Sequence, residues 1–337
     1  MPVKAIIDLK RILYNAKEIK KRLPCGVKFC AVVKADGYGH GAEKVANTLY
    51  NFVDCFAVAT VEEGVRLRFS GIDKDILVLS GVEDSELAQA VGYSLTLTAG
   101  SLYDLKRYAK EGERQGVRVK THIKFDTGMH RQGVNDIDEL KIAFAFGKNN
   151  GHLDLCGLYS HFARPENDRS RTQAVKKFNA AKNAVKEYDG TTFHISASGG
   201  FIKGEYFDMV RIGILLYGYK PFKTDKIKVK PAMKVYAPVI KTERLRRGEC
   251  ALYGGKRVGY DTDLTLIRYG YADGLFRKEI EGQFNNRCMD ITAINGRVRQ
   301  KAVAVMTDAD SVAKEYGTIS YEILVKCALR AEKIYSF

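Results

Sequence analysis

Ala31-Val32-Val33-Lys34-Ala35-Asp36-Gly37-Tyr38-Gly39-His40-Gly41 is the stretch on which the reading of this chain turns. It continues an apolar, β-branched run (Phe29 to Val33) that reads as a buried strand, and it passes through a glycine-broken turn into a helix predicted from about Ala42. A lysine placed where an apolar strand meets its loop brings its ammonium towards a low-dielectric pocket. Such an environment lowers the pKa and frees an amine able to form a Schiff base. Tyr38 follows four residues on, and glycines on both sides let the backbone come close to a ligand phosphate. On this stretch alone, an exposed lysine at a strand end is an equal reading.

Outward from it, short apolar runs alternate with helical patterns through the first two thirds of the chain. Strands are predicted to begin near Phe29, Cys55, Asp75, Thr96, Val117, Asp154, Thr192 and Met209, with helical segments such as Thr60 to Leu67 and Gln173 to Tyr188 between them. Eight such alternations point to a (β/α)8 barrel. A doubly wound sheet is the alternative, but no G-x-G-x-x-G follows the first strand. After Tyr219 the pattern changes to strand-like runs (Met233 to Ile240, Leu264 to Ile267, Asp290 to Ile294, Ala302 to Met306, Tyr321 to Val325), with no long amphipathic helix between them. The fold class is therefore α/β, a TIM-type (β/α)8 barrel over residues 1–225 followed by a mostly β domain over 226–337.

Composition narrows the function classes. The 337 residues are enough for a large core in two domains, and 45% hydrophobic content is ordinary for a globular chain. Apolar runs such as Ile212 to Tyr217 are too short to cross a bilayer, and charges interrupt the N-terminus too early for a signal peptide. Seven scattered cysteines without a C-x-x-C pair suggest reduced thiols and a cytoplasmic location. The net charge of +15 raises nucleic acid as a partner, yet basic residues are mixed with acids, as in Glu243-Arg244-Leu245-Arg246-Arg247, and no aromatic-basic RNA-binding motif is present. The six histidines form no metal-ligand set, so no metal is expected.

Barrel enzymes draw their active-site groups from the C-terminal ends of strands. By that rule Lys34 closes the first strand, Lys124 to Arg131 closes the fifth, His161 the sixth and Ser198 the seventh, while Arg211 lies on the eighth. Taken singly, each is as well read as a core histidine, a capping serine or a rim arginine. Five at one rim point to a shared site.

These segments, in order, resemble the alanine racemases, a family that binds pyridoxal 5'-phosphate (PLP). Further on, Leu252-Tyr253-Gly254, Gly270-Tyr271-Ala272-Asp273-Gly274, Cys288-Met289-Asp290 and Tyr321-Glu322-Ile323 also resemble motifs of that family, so the resemblance spans nearly the whole chain. It implies a homodimeric racemase of a small amino acid, most simply alanine, making D-alanine as a cell wall precursor. Lys34 would hold PLP and act as base on one face of the substrate Cα; Tyr253, reaching in from the second subunit, would be the base on the other. Two bases are needed because the proton leaves one face and returns on the other. A tyrosine of pKa about 10 needs neighbours that stabilise its phenolate, and His161 and Arg211 are the candidates. Arg211 would face the pyridine nitrogen, donating without protonating it. Tyr38, Ser198, the N–H groups of Gly213 and Ile214, and Tyr321 would hold the phosphate. Arg131, the Met289 backbone and Tyr271 would bind substrate, and Lys124 matches a lysine that many members carry carbamylated.

The chain also departs from the family pattern. Ala197-Ser198-Gly199 stands where Asn-Ser-Ala is usual, Asn286 replaces an arginine two residues before Cys288, and Arg330-Ala331-Glu332-Lys333 replaces Arg-Val-Pro-Arg. The interval from Tyr253 to Tyr271 is about one residue short. These changes leave a serine or broader-range racemase as a rival. A PLP carrier without turnover is a second, against which the further domain and its Tyr253 argue. A third is the catalytic part of a membrane-anchored racemase.

Overall fold

The computed structural model describes residues 1–253, 257–274, 276–277 and 287–337. Gly254 and Asn286, both singled out above, lie outside the described residues. The chain divides into two compact units, one of Leu13–Gly37 and Ala42–Lys230, the other of Met1–Ile12, Tyr38–Gly41 and Pro231–Phe337.

Strand β1 (Lys4–Asp8) belongs to the second unit. The first unit holds β2 (Lys28–Val32), β3 (Cys55–Val58), β4 (Ile76–Val78), β5 (Leu97–Ala99), β6 (Val119–Lys124), β7 (Leu153–Tyr159), β8 (Thr192–His194) and β9 (Met209–Ile212). They pair in parallel as β4-β3-β2-β9 and β5-β6-β7-β8. Parallel bridges Leu77–Thr96 and Ala197–Arg211 join the two sets at both seams and close the barrel. All eight predicted strands are present, β6 beginning at Val119 rather than Val117. The reason is physical: strands buried on both faces carry unbroken apolar runs, as in Phe56-Ala57-Val58 and Ile76-Leu77-Val78. The covering helices start on side-chain caps. Thr60 and Glu63 cap Val61–Phe69 reciprocally, and Ser101, Asp136 and Asn167 cap Leu102–Gln115, Ile137–Asn149 and Asp168–Ala184.

Three rim positions differ from expectation. β2 ends at Val32, so Lys34 stands beyond it; His161 and Ser198 stand beyond β7 and β8. Lys34 opens a left-handed turn, His161 lies in the loop after β7, and Ser198 opens a short helix, Ser198–Ile202.

In the second unit β1 pairs antiparallel with β10 (Met233–Leu245) and parallel with β14 (Glu332–Ser336). β10 carries β11 (Thr262–Ile267) on its C-terminal part and β13 (Ala302–Met306) on its N-terminal part, and β12 (Thr292–Asn295) extends β11. Leu245, Ala251, Val258, Leu264, Leu266 and Ala293 make one apolar cluster there. The expected strand Tyr321 to Val325 is instead part of a helix, Ser320–Cys327, preceded by the helix Ala309–Tyr316. Its buried residues, Ser320, Ile323, Leu324 and Cys327, follow the i, i+3, i+4, i+7 spacing of a helix face, which a short apolar window hides.

One glycine fixes a side chain that matters below. A Cβ added to Gly157 on β7 would lie 2.6 Å from His122 Nδ1 on β6, closer than packed atoms allow. Gly157→Ala should therefore destabilise the barrel by ~1–3 kcal/mol in urea unfolding, the usual cost of overpacking. Gly151→Ala, where a Cβ meets nothing within 4 Å, should leave stability nearly unchanged and is the control.

Candidate active site

Lys34 enters a left-handed turn in which Ala35, Asp36 and Gly37 have φ of 51°, 53° and 61°. Alanine in that region costs ~1–2 kcal/mol, so the turn persists only because its surroundings hold it. The Ala35 N–H donates to Glu63 Oε1 (2.6 Å), the Gly37 N–H to the Val33 carbonyl (2.8 Å), and the Ala42 N–H to Asp36 Oδ1 (2.9 Å). Burial, and after it the charge of Arg131, push the Lys34 amine below its ordinary pKa against the opposing pull of Glu63.

Arg211, on β9, is buried in the barrel and spends its donors on neutral acceptors. Nη1 donates to His194 Nδ1 (2.5 Å) and the His194 carbonyl (3.3 Å). Nη2 donates to the Ser160 and Ile195 carbonyls (2.6 and 3.2 Å) and meets His161 Nδ1 at 3.3 Å. A guanidinium has no lone pair to offer, so each imidazole nitrogen facing it is an acceptor. His194 therefore carries its proton on Nε2 and donates it to His122 Nδ1, 3.0 Å away. By the same logic His161 is protonated on Nε2. The Tyr159 ring stacks on His194 (centroids 5.0 Å, 5° between planes) and lies under the Arg211 guanidinium at 5.0 Å. Its hydroxyl is shared with Thr98 Oγ1 at 2.9 Å. The sequence reading passed over Tyr159, His194 and His122 as members of this group. Strand alternation was the available signal, since His122 sits two residues before Lys124 and so on the same face of β6.

At the other side of the same rim, Ser198 Oγ accepts from the Gly213 N–H at 3.3 Å, and Ile214 follows at the start of a 3-10 turn. Lys124 ends β6 with its ammonium 5.7 Å from the Tyr159 ring. The loop after it is organised by Asp126, whose carboxylate accepts from the N–H groups of Gly128, Met129 and Arg131 at 2.6, 2.8 and 3.2 Å. Those bonds hold its pKa below the carboxylate range although burial opposes them. The Arg131 side chain is exposed.

The remaining expected site residues belong to the second unit. Tyr38 meets Tyr321 with ring centroids 6.1 Å apart, and burial pushes the Tyr321 phenol up to about 12. Tyr271 and Met289 are brought together, with the Tyr271 N–H on the Cys288 carbonyl (3.2 Å) and the Ala272 N–H on the Met289 carbonyl (3.0 Å). Tyr253 is 83% exposed and Met289 55%. Among the described residues no group of three or more His, Cys, Asp or Glu could hold a metal, and no helix is long and apolar enough to cross a membrane.

Comparison with known proteins decides the family. Residues 7–221 match the alanine racemase N-terminal domain and residues 232–335 its C-terminal domain. The alanine racemase of Staphylococcus epidermidis is 30% identical, covering 98% of this chain and 94% of its own. Alanine racemase 2 of Caldanaerobacter subterraneus is 31% identical, covering 100% and 95%. The solved alanine racemase of Clostridium difficile superposes with a TM-score of 0.94 at 27% identity, covering 100% and 96%. The chain belongs to the alanine racemase family.

One departure from the alanine racemase pattern has a local cause. Gly199 stands where the family commonly has alanine, and a Cβ there would lie 2.5 Å from Pro165 Cγ. The loop after β7 has taken the space that the methyl group would need. No comparable cause is visible for Ala197.

The histidines make acid sensitivity calculable. Burial, with Arg211 adding to it, lowers His122 to about 4 and His161 to about 3, and puts His194 well below the imidazole range. The folded state thus resists protons that the unfolded chain accepts near pH 6.5. As pH falls the unfolded state takes up protons first, so stability is full above pH 6.5 and is lost progressively between pH 6.5 and about 4. Urea unfolding across that window should show a loss of up to ~3 kcal/mol from His122 alone. The slope should be shallower in His122→Gln.

Proposed function

We propose that the chain is a PLP-dependent racemase that interconverts L- and D-alanine with two bases and works as a homodimer. The observation that carries the reading is the pairing of a burial-depressed lysine at the mouth of the barrel with a buried arginine that keeps its proton. The residues fit the cofactor. Lys34 offers an amine that deprotonates more readily than free lysine, and Ser198 with the Gly213 and Ile214 backbone forms a polar end for the phosphate. Tyr38 and Tyr321, whose rings meet within the second unit, would join in that task as the family resemblance implies.

When bound, PLP supplies an electron sink that acidifies the substrate Cα–H. The protein's own contribution is placement of protons. Arg211 would donate to the ring nitrogen and stay protonated, because a guanidinium is far more basic than the imidazoles of His194 and His161 that face it. A cofactor held in this way would be a weaker electron sink than one paired with a carboxylate, which would limit side reactions. Lys34 Nζ takes or returns the proton on one face of Cα, and Tyr253 of the partner subunit does so on the other. His161 stabilises the tyrosine phenolate through its Nε2–H. Arg131, joined by the backbone of Met289 of the partner subunit, binds the substrate carboxylate, and Tyr271 is a further substrate-binding residue.

Lys124 fits the carbamylated role. Burial, then Arg131, lower its pKa to about 8, and Arg211 and Lys34 add to this while Asp126 alone opposes. An amine that is partly neutral near pH 8 reacts with carbon dioxide, and the carbamate replaces a cation among cations by an anion. Its partner for orientation is Arg131.

The test is complementation. Lys34→Ala and Tyr253→Phe should each lose racemase activity by ~100- to 10,000-fold, since each removes one proton transfer. Mixing the two proteins should restore part of the activity, because a mixed dimer contains one intact pair. No recovery after verified subunit exchange would sink the two-chain site. Carbamylation is checked separately: 13C-bicarbonate should give a carbamate signal that disappears in Lys124→Ala.

A further inference from the structure

Three sulfur atoms meet inside the barrel, and racemisation uses none of them. Cys30 on β2 stands in register with Cys55 on β3 and with Arg211 on β9. Residues in register on neighbouring strands share a face, and the Arg211 guanidinium marks that face as the interior. Met209, two residues before Arg211, lies on it as well. Cys55 Sγ is 3.5 Å from Met209 Sδ. Cys30 and Cys55 share a hydrogen bond, which with burial pushes the Cys55 thiol well above its ordinary range. Cys30 is fully buried, Met209 is 3% exposed, and Cys55 is half-buried.

A buried cysteine commonly fills space as a small hydrophobe. Here two thiols and a thioether converge from three neighbouring strands, from residues 30, 55 and 209. We propose that Cys30, Cys55 and Met209 form a three-sulfur site for a soft monovalent metal ion, Cu(I). The donor set selects the ion: thiolate and thioether ligands favour Cu(I), whereas Zn(II) is completed by four nitrogen, oxygen or thiolate ligands and magnesium or calcium by oxygens. The spacing also fits. A trigonal ion with metal–sulfur bonds of ~2.3 Å spans sulfur–sulfur distances of ~4.0 Å, a small expansion of the observed pair.

Loading balances as follows. The two S–H bonds break, two protons pass to solvent, two metal–thiolate bonds form, and the thioether adds a third bond without a proton. Two thiolates and one Cu(I) carry a net single negative charge, in register with the Arg211 cation. Cys55 opens β3, so the site lies at the N-terminal end of the barrel, opposite the Lys34 rim.

The experiment is an anaerobic titration of the whole protein with Cu(I) against a chromophoric Cu(I) chelator. Cys25→Ser/Cys250→Ser is the background, because Cys25 and Cys250 are exposed thiols. The expected result is one equivalent withdrawn from the chelator, with X-ray absorption showing three sulfur neighbours. Cys30→Ser and Cys55→Ser, each checked for native circular dichroism, should lose the equivalent. Met209→Leu should keep it with weaker retention and two sulfur neighbours. The proposal is overturned if the background protein withdraws no copper, if Cys30→Ser and Cys55→Ser withdraw it undiminished, or if Met209→Leu leaves the sulfur count unchanged.

Discussion

The buried Arg211 guanidinium is the constraint on which the rest of the barrel interior depends. A buried cation without a carboxylate is costly unless its donors are all met. Its hydrogen-bond partners among the described residues are three backbone carbonyls and two imidazole nitrogens. Those carbonyls belong to Ser160, His194 and Ile195, at the ends of β7 and β8, and the His194 oxygen also accepts from the Ser160 N–H at 3.0 Å. The chain thus neutralises the charge with dipoles. The choice has a consequence for chemistry, because carbonyls and imidazoles are far weaker bases than a guanidine and the guanidinium remains a donor.

From that choice the histidine tautomers follow. Arg211 asks for a lone pair from His194, His194 then has its proton on Nε2, and His122 must accept it. Tyr159 holds His194 flat by stacking, and Gly157 leaves the space that the His122 ring occupies. A glycine on one strand is therefore linked to the electronic state of an arginine two strands away through two rings. Each link is a short contact with a named partner, and none needs a conformational change to act.

The electrostatics of the rim have the same origin. Burial lowers the proton affinity of Lys34, Lys124 and Arg211, the charge of Arg131 adds to it in each, and Glu63 beside Lys34 and Asp126 beside Lys124 oppose it only in part. A site so short of negative charge is completed by anions: a phosphate, a substrate carboxylate and a carbamate on Lys124 would each relieve it. The overall charge of +15 adds a long-range attraction for small anions in the same direction. Binding and pKa depression are thus connected, since Arg131, which adds to the burial that depresses Lys34, is a cation that an incoming anion would satisfy.

What the sequence made legible follows from where side chains point. The eight barrel strands were readable because burial on both faces writes unbroken apolar runs; Arg211 was readable as a charge inside such a run, and Lys34 and His161 as polar residues just beyond one. His122 and His194 were harder to place. A histidine inside a strand looks like a core residue until its neighbour across the sheet is known, and that neighbour, 72 residues away for this pair, is set by closure of the barrel. The strand at Lys4–Asp8 went unread for a related reason, because its five residues pair with partners near both ends of the second unit. Tyr321 failed differently. Its local window is apolar in either period, and only Ser320 and Cys327 at the edges reveal the helix. Periodicity identifies an element when the element is longer than the ambiguity between two and 3.6 residues; below that length the decision belongs to the packing.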